Sequence, residues 1–311
     1  MKYLFGPVAS RRFGRSLGIN IIPHKFCTYD CIYCETGKTT NKLADRISFF
    51  DVADLIEEFK SVYCKEYEFV DIVTITGQGE PTLNADLEDI VDKLKIYLKH
   101  PLLVLTNGSL LYNGAVQMAL SKADIVCTSL DAVSMKYFEE INRPDKDLNL
   151  GDIISGLIDF SYKYAGKLLI EVLLVKGVND DLSSLKQIAG VIKKCKYDAV
   201  QLNTVFRPPA YDSAEAVSEE DLSSISKCME MMGIRIQKPY NISSNNLKNR
   251  YENIAEYIVR LAAIRPVCFT DILKIVDMPK TVIAGVLNKL IVDGKIMAVR
   301  QKSSEYYITK K

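Results

Sequence analysis

Residues 24–38 read HKFCTYDCIYCETGK and put three cysteines, Cys27, Cys31 and Cys34, within eight positions, just after the apolar run 17–22. The other five cysteines, Cys64, Cys127, Cys195, Cys228 and Cys268, stand singly. Thiolates are soft ligands, so a C-x3-C-x2-C loop suits zinc or an iron–sulfur cluster. A structural zinc site needs four ligands, commonly as two separated pairs, and His24 is the one nearby addition. Three cysteines without a fourth partner suit a [4Fe–4S] cluster with one iron left open. That is the preferred reading, with zinc and inert thiols as the alternatives.

Outward from this loop, short β-branched runs alternate with amphipathic stretches. The runs are 17–22, 70–76, 102–106, 125–130, 168–175 and 199–205. The helical patterns are 52–63, 87–98, 115–120, 153–162, 182–192 and 222–232. Leu87, Ile90, Val91, Leu94, Tyr97 and Leu98 are expected to share one buried helical face. Continuous apolar strands joined by helices predict a parallel sheet covered by helices. Six such units fit an open doubly wound sheet or a curved, barrel-like one, and periodicity does not choose between them.

The pattern changes at a polar stretch. Residues 1–240 read as the core, 241–250 as a linker and 251–311 as a second, smaller domain. Ile254, Ile258 and Leu261 mark a helix, Thr270 caps a second over 271–276, and a third runs from Pro279 through Leu290 to Gly294. Strands 295–300 and 305–309 flank a turn at Lys302-Ser303-Ser304, which completes a winged-helix pattern. The 311 residues carry 40 Lys and Arg against 39 Asp and Glu, a net +1 that excludes a chain coating nucleic acid wholesale. The balance is uneven: residues 251–311 hold ten basic against six acidic groups, leaving 30 against 33 for residues 1–250. Nucleic-acid contact through the winged helix is therefore open. Yet its third helix offers only Lys280 and Lys289, and Ala284, Gly285 and Val286 are poor groove readers. A protein contact or a structural cap fits equally well. No apolar run approaches the roughly 18 residues of a membrane span. The start, MKYLFGPVASRRFGRS, lacks a signal-peptide pattern. A cytoplasmic protein with reduced cysteines and no membrane partner is expected.

Polar groups gather at the strand ends. Thr76-Gly77-Gln78-Gly79-Glu80-Pro81-Thr82 follows the second run, Thr106-Asn107-Gly108 ends the third, and Ser129-Leu130-Asp131 ends the fourth. Glu171 interrupts the fifth, while Gln201 and Asn203 share one face of the sixth, ahead of Arg207-Pro208-Pro209. Glycines at a strand end let the backbone approach a ligand closely. A carboxylate in an apolar strand must be paired or face a polar cavity, and strand C-termini are where ligand sites form. Asn107-Gly108 also reads as a turn, and Asp131 as a helix cap. Arg11, Arg12, Arg15 and Arg207 are candidates to bind an anionic substrate or a cofactor carboxylate, with a solvated basic edge as the alternative.

The spacing Cys27-x3-Cys31-x-Tyr33-Cys34 resembles the signature of the radical S-adenosylmethionine (SAM) superfamily. The resemblance implies an α/β fold, a partial (β/α)6 TIM-like barrel, followed by the small winged-helix domain. It also implies that the three cysteines hold a [4Fe–4S] cluster, that SAM chelates the open iron, and that Tyr33 lies near the adenine. Gly77, Gly79 and Glu80 look like the family's Gly-Gly-Glu-Pro motif for the SAM amino group, with Gln78 between the glycines. Thr106, Asn107, Ser129, Asp131 and Asn203 correspond to further SAM contacts, whereas Glu171, Gln201 and the arginines would face substrate. The implied activity is reductive cleavage of SAM to a 5′-deoxyadenosyl radical that abstracts hydrogen from RNA, protein or a small metabolite. The electron would come from a flavodoxin- or ferredoxin-like donor. No catalytic side chain is assigned.

The segments GPVASRRFGRSLGINIIPHKFCTYDCIYCETGKTT, TGQGEPTLN and QLNTVFRPPA resemble the wyosine-type iron–sulfur oxidoreductases of that superfamily. The related tRNA wyosine-base enzyme has a second cluster on cysteines upstream of the first. No cysteine precedes Cys27, so that reaction is not expected. A non-enzymatic iron–sulfur redox sensor that binds DNA through its winged helix is the competing reading.

Overall fold

In chain order the strands are β1 (Leu4–Ser10), β2 (Gly14–Asn20), the two-residue β3 (Phe26–Cys27) and β4 (Asn41–Lys42), then β5 (Ile72–Thr76), β6 (Leu102–Thr106), β7 (Ile125–Ser129), β8 (Lys167–Leu174) and β9 (Ala199–Thr204). The computed structural model describes residues 2–10, 12–237, 253–301 and 304–309. Arg11, the expected linker 241–250 and the turn residues Lys302 and Ser303 lie outside the described residues. One sheet runs in the order β1-β2-β5-β6-β7-β8-β9, parallel throughout except for the antiparallel β1–β2 pair. The helices α1 (Val52–Glu66), α2 (Leu87–Lys95), α3 (Gly114–Ser121), α4 (Met135–Tyr137), α5 (Leu150–Lys163), α6 (Leu182–Ile192) and α7 (Glu219–Met231) lie between and after these strands.

The six expected strands and six expected helical stretches are all present. The α2 face is buried at Leu87, Ile90, Val91 and Leu94, although the helix ends at Lys95 and Tyr97, expected on that face, is exposed. The buried face packs in one core with Leu17, Ile19, Ile75, Val104, Val126, Ile170 and Val200 of the sheet. Asn113, Asn149, Asp181 and Ser218 cap helices α3, α5, α6 and α7 by accepting from first-turn backbone N–H groups.

Curvature, which periodicity left open, is decided by contacts between the two sheet edges. Arg12 follows β1 and its Nη1 donates to Gln201 Oε1 on β9 at 3.3 Å. Six inter-strand spacings would hold those edges roughly 29 Å apart in a flat sheet. The sheet therefore curls into a half-barrel, and its inner face encloses a cavity. Among the described residues no helix is long and apolar enough to cross a membrane.

Strand β1 has no counterpart in the sequence reading. Gly6 and Pro7 break its apolar run, and a proline in a strand marks an edge or a bulge. The β1–β2 register indeed shifts between Phe5 and Val8. What covers this edge is the C-terminal unit: α8 (Ile254–Ile264), β10 (Val267–Cys268), α9 (Phe269–Leu273), α10 (Lys280–Val292), β11 (Ile296–Gln301) and β12 (Ser304–Thr309). Its three strands form an antiparallel sheet, β10-β12-β11. Two details differ from expectation. Thr270 lies inside α9 instead of capping it, and β10, only two residues long, gave no periodic signal. Phe5, Val8 and Ala9 of β1 share one apolar cluster with Tyr257, Ile258, Leu261, Ile283 and Leu287. Tyr257 Oη donates to the Pro7 carbonyl at 2.7 Å, and Tyr306 Oη to the Phe206 carbonyl at 2.8 Å.

The Phe5 ring fills the space beside Gly18, where a Cβ would fall 2.1 Å from it. Phe5→Ala should therefore cost about 3–5 kcal/mol, the range for emptying a buried aromatic site. Urea denaturation measures this, and a loss within experimental error would show that β1 does not carry the contact.

Candidate active site

The cysteine loop leaves β2 and is held by backbone bonds on two sides. Asp30 N–H donates to the Asn142 carbonyl and Ile32 N–H to the Ile141 carbonyl, both at 2.9 Å. On the other side, Lys25 N–H donates to the Gln78 carbonyl at 2.9 Å and Glu80 N–H to the Phe26 carbonyl at 3.1 Å. A Cβ on Gly79 would lie 1.7 Å from that Phe26 oxygen, so no side chain fits there. At Gly77 it would meet Asn20 Oδ1 at 2.9 Å. Gly79 lets two protein loops approach each other, and both glycines also line the cavity beside the cysteine loop, so the close approach to a ligand expected from the sequence is compatible with their place.

Cys27, Cys31 and Cys34 all line one cavity of about 470 Å³, within the usual size range of small-molecule sites. Each sulfur meets an N–H donor from a different part of the chain. Asn107 Nδ2, past the end of β6, lies 3.7 Å from Cys27 Sγ; Asn142 Nδ2 lies 3.5 Å from Cys31 Sγ; Lys25 Nζ lies 3.4 Å from Cys34 Sγ. Lys25 is 1% exposed, and its other partner is Thr36 Oγ1 at 3.1 Å. Lys25 and Asn142 escaped the sequence reading: Lys25 sits in the cysteine run without a motif of its own, and Asn142 lies 111 positions from Cys31.

Burial pushes the Cys27 thiol up to about 12 and the Cys31 thiol well above its usual range. A metal centre here must therefore displace protons from the ligands. Among the described residues no three His, Cys, Asp or Glu side chains come together as ligands of a single ion. His24, the fourth ligand of the zinc alternative, has an exposed side chain. The donor set suits a cluster that spreads its ligands over several irons better than one zinc ion.

Strand ends supply the next layer. Glu80 is 2% exposed, and its Oε1 accepts from Thr82 N–H at 2.9 Å, Thr82 Oγ1 at 2.7 Å and Thr106 Oγ1 at 2.6 Å. Its Oε2 accepts from Asn107 N–H at 2.7 Å and keeps a lone pair for one further donor. Burial raises its pKa despite these bonds. Tyr33, Gly77, Gly79, Glu80, Thr106, Asn107, Ser129 and Asn203 all line the cavity. Asp131 does not: it is buried behind the wall and accepts from Tyr33 Oη, from Asn142 Nδ2 at 3.0 Å and from Leu173 N–H at 2.9 Å. Both its oxygens are committed to protein, so it orients Tyr33 and Asn142.

Deeper in the half-barrel, Arg12 is ion-paired with Glu171, and Asn203 Nδ2 donates to Glu171 Oε1 at 3.0 Å. Gln201 Nε2 donates to Gln237 Oε1 at 3.0 Å. Arg207 bridges two loops and the C-terminal unit: Nη1 to Glu35 Oε2 at 3.1 Å, Nη2 to Asp271 Oδ2 at 3.0 Å, Nε to the Pro266 carbonyl at 3.0 Å. Arg15 is not on the cavity wall; it sits beside Asp71, 2.7 Å from Oδ1. Of the expected anion-binding arginines, Arg12 and Arg207 reach the cavity, but both are already paired with carboxylates. Glu35, Asp271 and Arg265 also line it and escaped the sequence reading, because nothing local marks them.

Burial pushes the Glu35 and Asp271 carboxyls up, yet Arg207 and Arg265 outweigh it and hold both below their ordinary values. A carboxylate whose folded pKa is depressed contributes stability that is present above its unfolded pKa, near 4, and lost as pH falls through the folded value. Asp271→Asn should therefore lower the urea midpoint at pH 7 and flatten its decline below about pH 4. An acid limb as steep as that of the unsubstituted protein would contradict this role.

The model of the radical SAM superfamily matches residues 21–182. A protein of Brachyspira hyodysenteriae named GTPase Obg is 34% identical over 299 residues, which are 95% of this chain but 43% of that protein. The chain thus spans less than half the length of that relative. The UPF0026 protein of Methanocaldococcus jannaschii is 31% identical over 313 residues, 99% of this chain and 96% of the relative. Among solved structures, TYW1 with a lysine-pyruvate adduct bound shares the fold, with a TM-score of 0.53 and 16% identity over 70% of this chain and 73% of that one. With a cysteine-lined cavity at the strand ends of a half-barrel, and with these relatives, the chain belongs to the UPF0026 proteins of the radical SAM superfamily, enzymes whose cofactors are a [4Fe–4S] cluster and SAM.

Proposed function

We propose that Cys27, Cys31 and Cys34 would hold the [4Fe–4S] cluster and that SAM would bind in the cavity these cysteines line. The observation that carries this reading is the convergence of three thiols, each with its own N–H donor, on one cavity lined by Glu80, Thr106, Asn107 and Ser129. Bound there, the cofactors supply one-electron cleavage of the SAM S–C5′ bond, yielding methionine and a 5′-deoxyadenosyl radical able to take hydrogen from a substrate. The chain's own task is to bind, orient and exclude water. Glu80 Oε2, with its remaining lone pair, accepts from the SAM ammonium. Tyr33, fixed by Asp131, presents its ring to the adenine. Gln201, Asn203, Arg12 and Glu171 form the polar floor that the substrate meets. An external flavodoxin- or ferredoxin-like protein provides the electron.

We read residues 251–311 as a winged-helix domain whose first role is to wall this cavity, since Arg265 and Asp271 line it. That supports a structural use of the unit ahead of nucleic-acid reading. Its net +4 keeps RNA among the substrates to be screened, beside proteins and small metabolites.

After anaerobic reconstitution with iron and sulfide, the protein should release 5′-deoxyadenosine from SAM on reduction with dithionite, and Cys31→Ala should abolish it. Equal product from both would refute the assignment of ligands. Hydrogen bonds and positive charge at cluster sulfurs raise the reduction potential. Lys25→Met should accordingly shift the midpoint to more negative values in an EPR-monitored redox titration, at unchanged iron content. An unchanged midpoint would remove Lys25 from the cluster's environment.

A further inference from the structure

We infer that Arg265 binds an oxyanion, a carboxylate or phosphate group carried by the substrate, and that the C-terminal unit thereby sets substrate specificity. The inference rests on the radical SAM reading of the cavity and adds the class of molecule that enters it. Three guanidinium groups line the cavity: Arg12, Arg207 and Arg265. Arg12 is ion-paired with Glu171, and each of the three guanidinium nitrogens of Arg207 donates, to Glu35, Asp271 and the Pro266 carbonyl. Arg265 differs. Among the described residues it has neither an ion pair nor a side-chain hydrogen bond, and its Nε is buried without a partner. Glu35 and Asp271 act on it only at longer range. A buried N–H left unpaired costs more than a bond gains, so the site is incomplete without an acceptor.

The guanidinium is also held in place from the backbone. Arg265 N–H donates to the Leu261 carbonyl at 3.0 Å, the next carbonyl, Pro266, accepts from Arg207, and Gln78 Nε2 donates to the Ala263 carbonyl at 2.7 Å. The last bond ties the segment to the glycine-rich loop beside the cysteines. A planar fork with five donors fits a carboxylate or phosphate in bidentate fashion, and a fixed fork loses little entropy on binding. Glu35 and Asp271 hydrogen-bond to Arg207 and Glu171 pairs with Arg12, so the hydrogen-bond positions of the Arg265 guanidinium are not taken by these carboxylates.

The test is equilibrium dialysis of labelled inorganic phosphate and, separately, acetate against the full-length reconstituted protein with saturating SAM. One of the two should bind in competition with the other. Arg265→Gln should weaken that binding about tenfold, as expected for losing a charge-assisted bidentate contact, with Arg265→Lys intermediate and the exposed Lys186→Gln unchanged. Tighter phosphate marks a phosphorylated substrate, and tighter acetate an organic acid; either supports the inference. Should Arg265→Gln fail to fold, modification of Arg265 by phenylglyoxal in the wild type, followed by mass spectrometry, gives the same answer: the bound anion should protect it. The inference is overturned if neither anion binds, if Arg265→Gln binds like Lys186→Gln, or if SAM affinity falls in parallel, which would assign Arg265 to the SAM carboxylate. None of these readouts needs turnover, so failure here leaves the radical chemistry standing, and absence of 5′-deoxyadenosine leaves the anion site standing.

Discussion

A single backbone contact organises the site: Gly79 against the Phe26 carbonyl, with Glu80 N–H donating to that same oxygen. It joins the loop after β2, which carries the cysteines, to the loop after β5, which carries Glu80. From there polar bonds pass outward in sequence. Glu80 accepts from Thr106 and Asn107 at the end of β6, and Asn107 donates to Thr28 Oγ1 at 2.7 Å and reaches Cys27. Each group is buried and must be satisfied, so the three strand ends are locked in one relative position. The geometry of the thiols follows from this locking more than from the cysteine loop itself.

A second set of bonds closes the opposite side. A half-barrel has two free edges and an open flank, and edges are liabilities unless covered. The β1 edge is covered by α8 and its neighbours through Phe5, Val8 and Ala9. The flank is bridged by Arg12 reaching Gln201 and by Arg207 reaching Asp271. Buried charge pairs are weak evidence for added stability, but breaking one leaves an uncompensated charge, so they fix which partner docks where. Walling the cavity with a separate unit also leaves its specificity to residues remote in sequence from the cluster loop.

Much of this was legible from local pattern. Alternating apolar runs and helical faces announced the six parallel strands, and Cys27, Cys31 and Cys34 announced a metal centre, because both signals lie within short windows. Strand β1 was hidden by Gly6 and Pro7, and β10 by its length. Asp131 and Arg15 looked like ligand-binding groups by position. Their roles changed because Tyr33, Asn142 and Asp71, all distant in sequence, take up their hydrogen-bonding capacity. Of the N–H donors to the sulfurs, Asn142 was invisible for the same reason and Lys25 for want of a motif of its own, while Asn107 stood out at its strand end.

The sequence by itself determined the class of chemistry, since ligand type and spacing are local covalent facts, and it determined the strand–helix alternation, since burial periodicity is local as well. Tertiary structure decided the curl of the sheet, which charges are spent and which guanidinium is left over. Those depend on pairings such as Arg12 with Glu171 and Arg207 with Asp271, whose members lie far apart in the sequence. Whether a charged side chain can serve a ligand is settled by what else touches it, and that is a property of the folded chain alone.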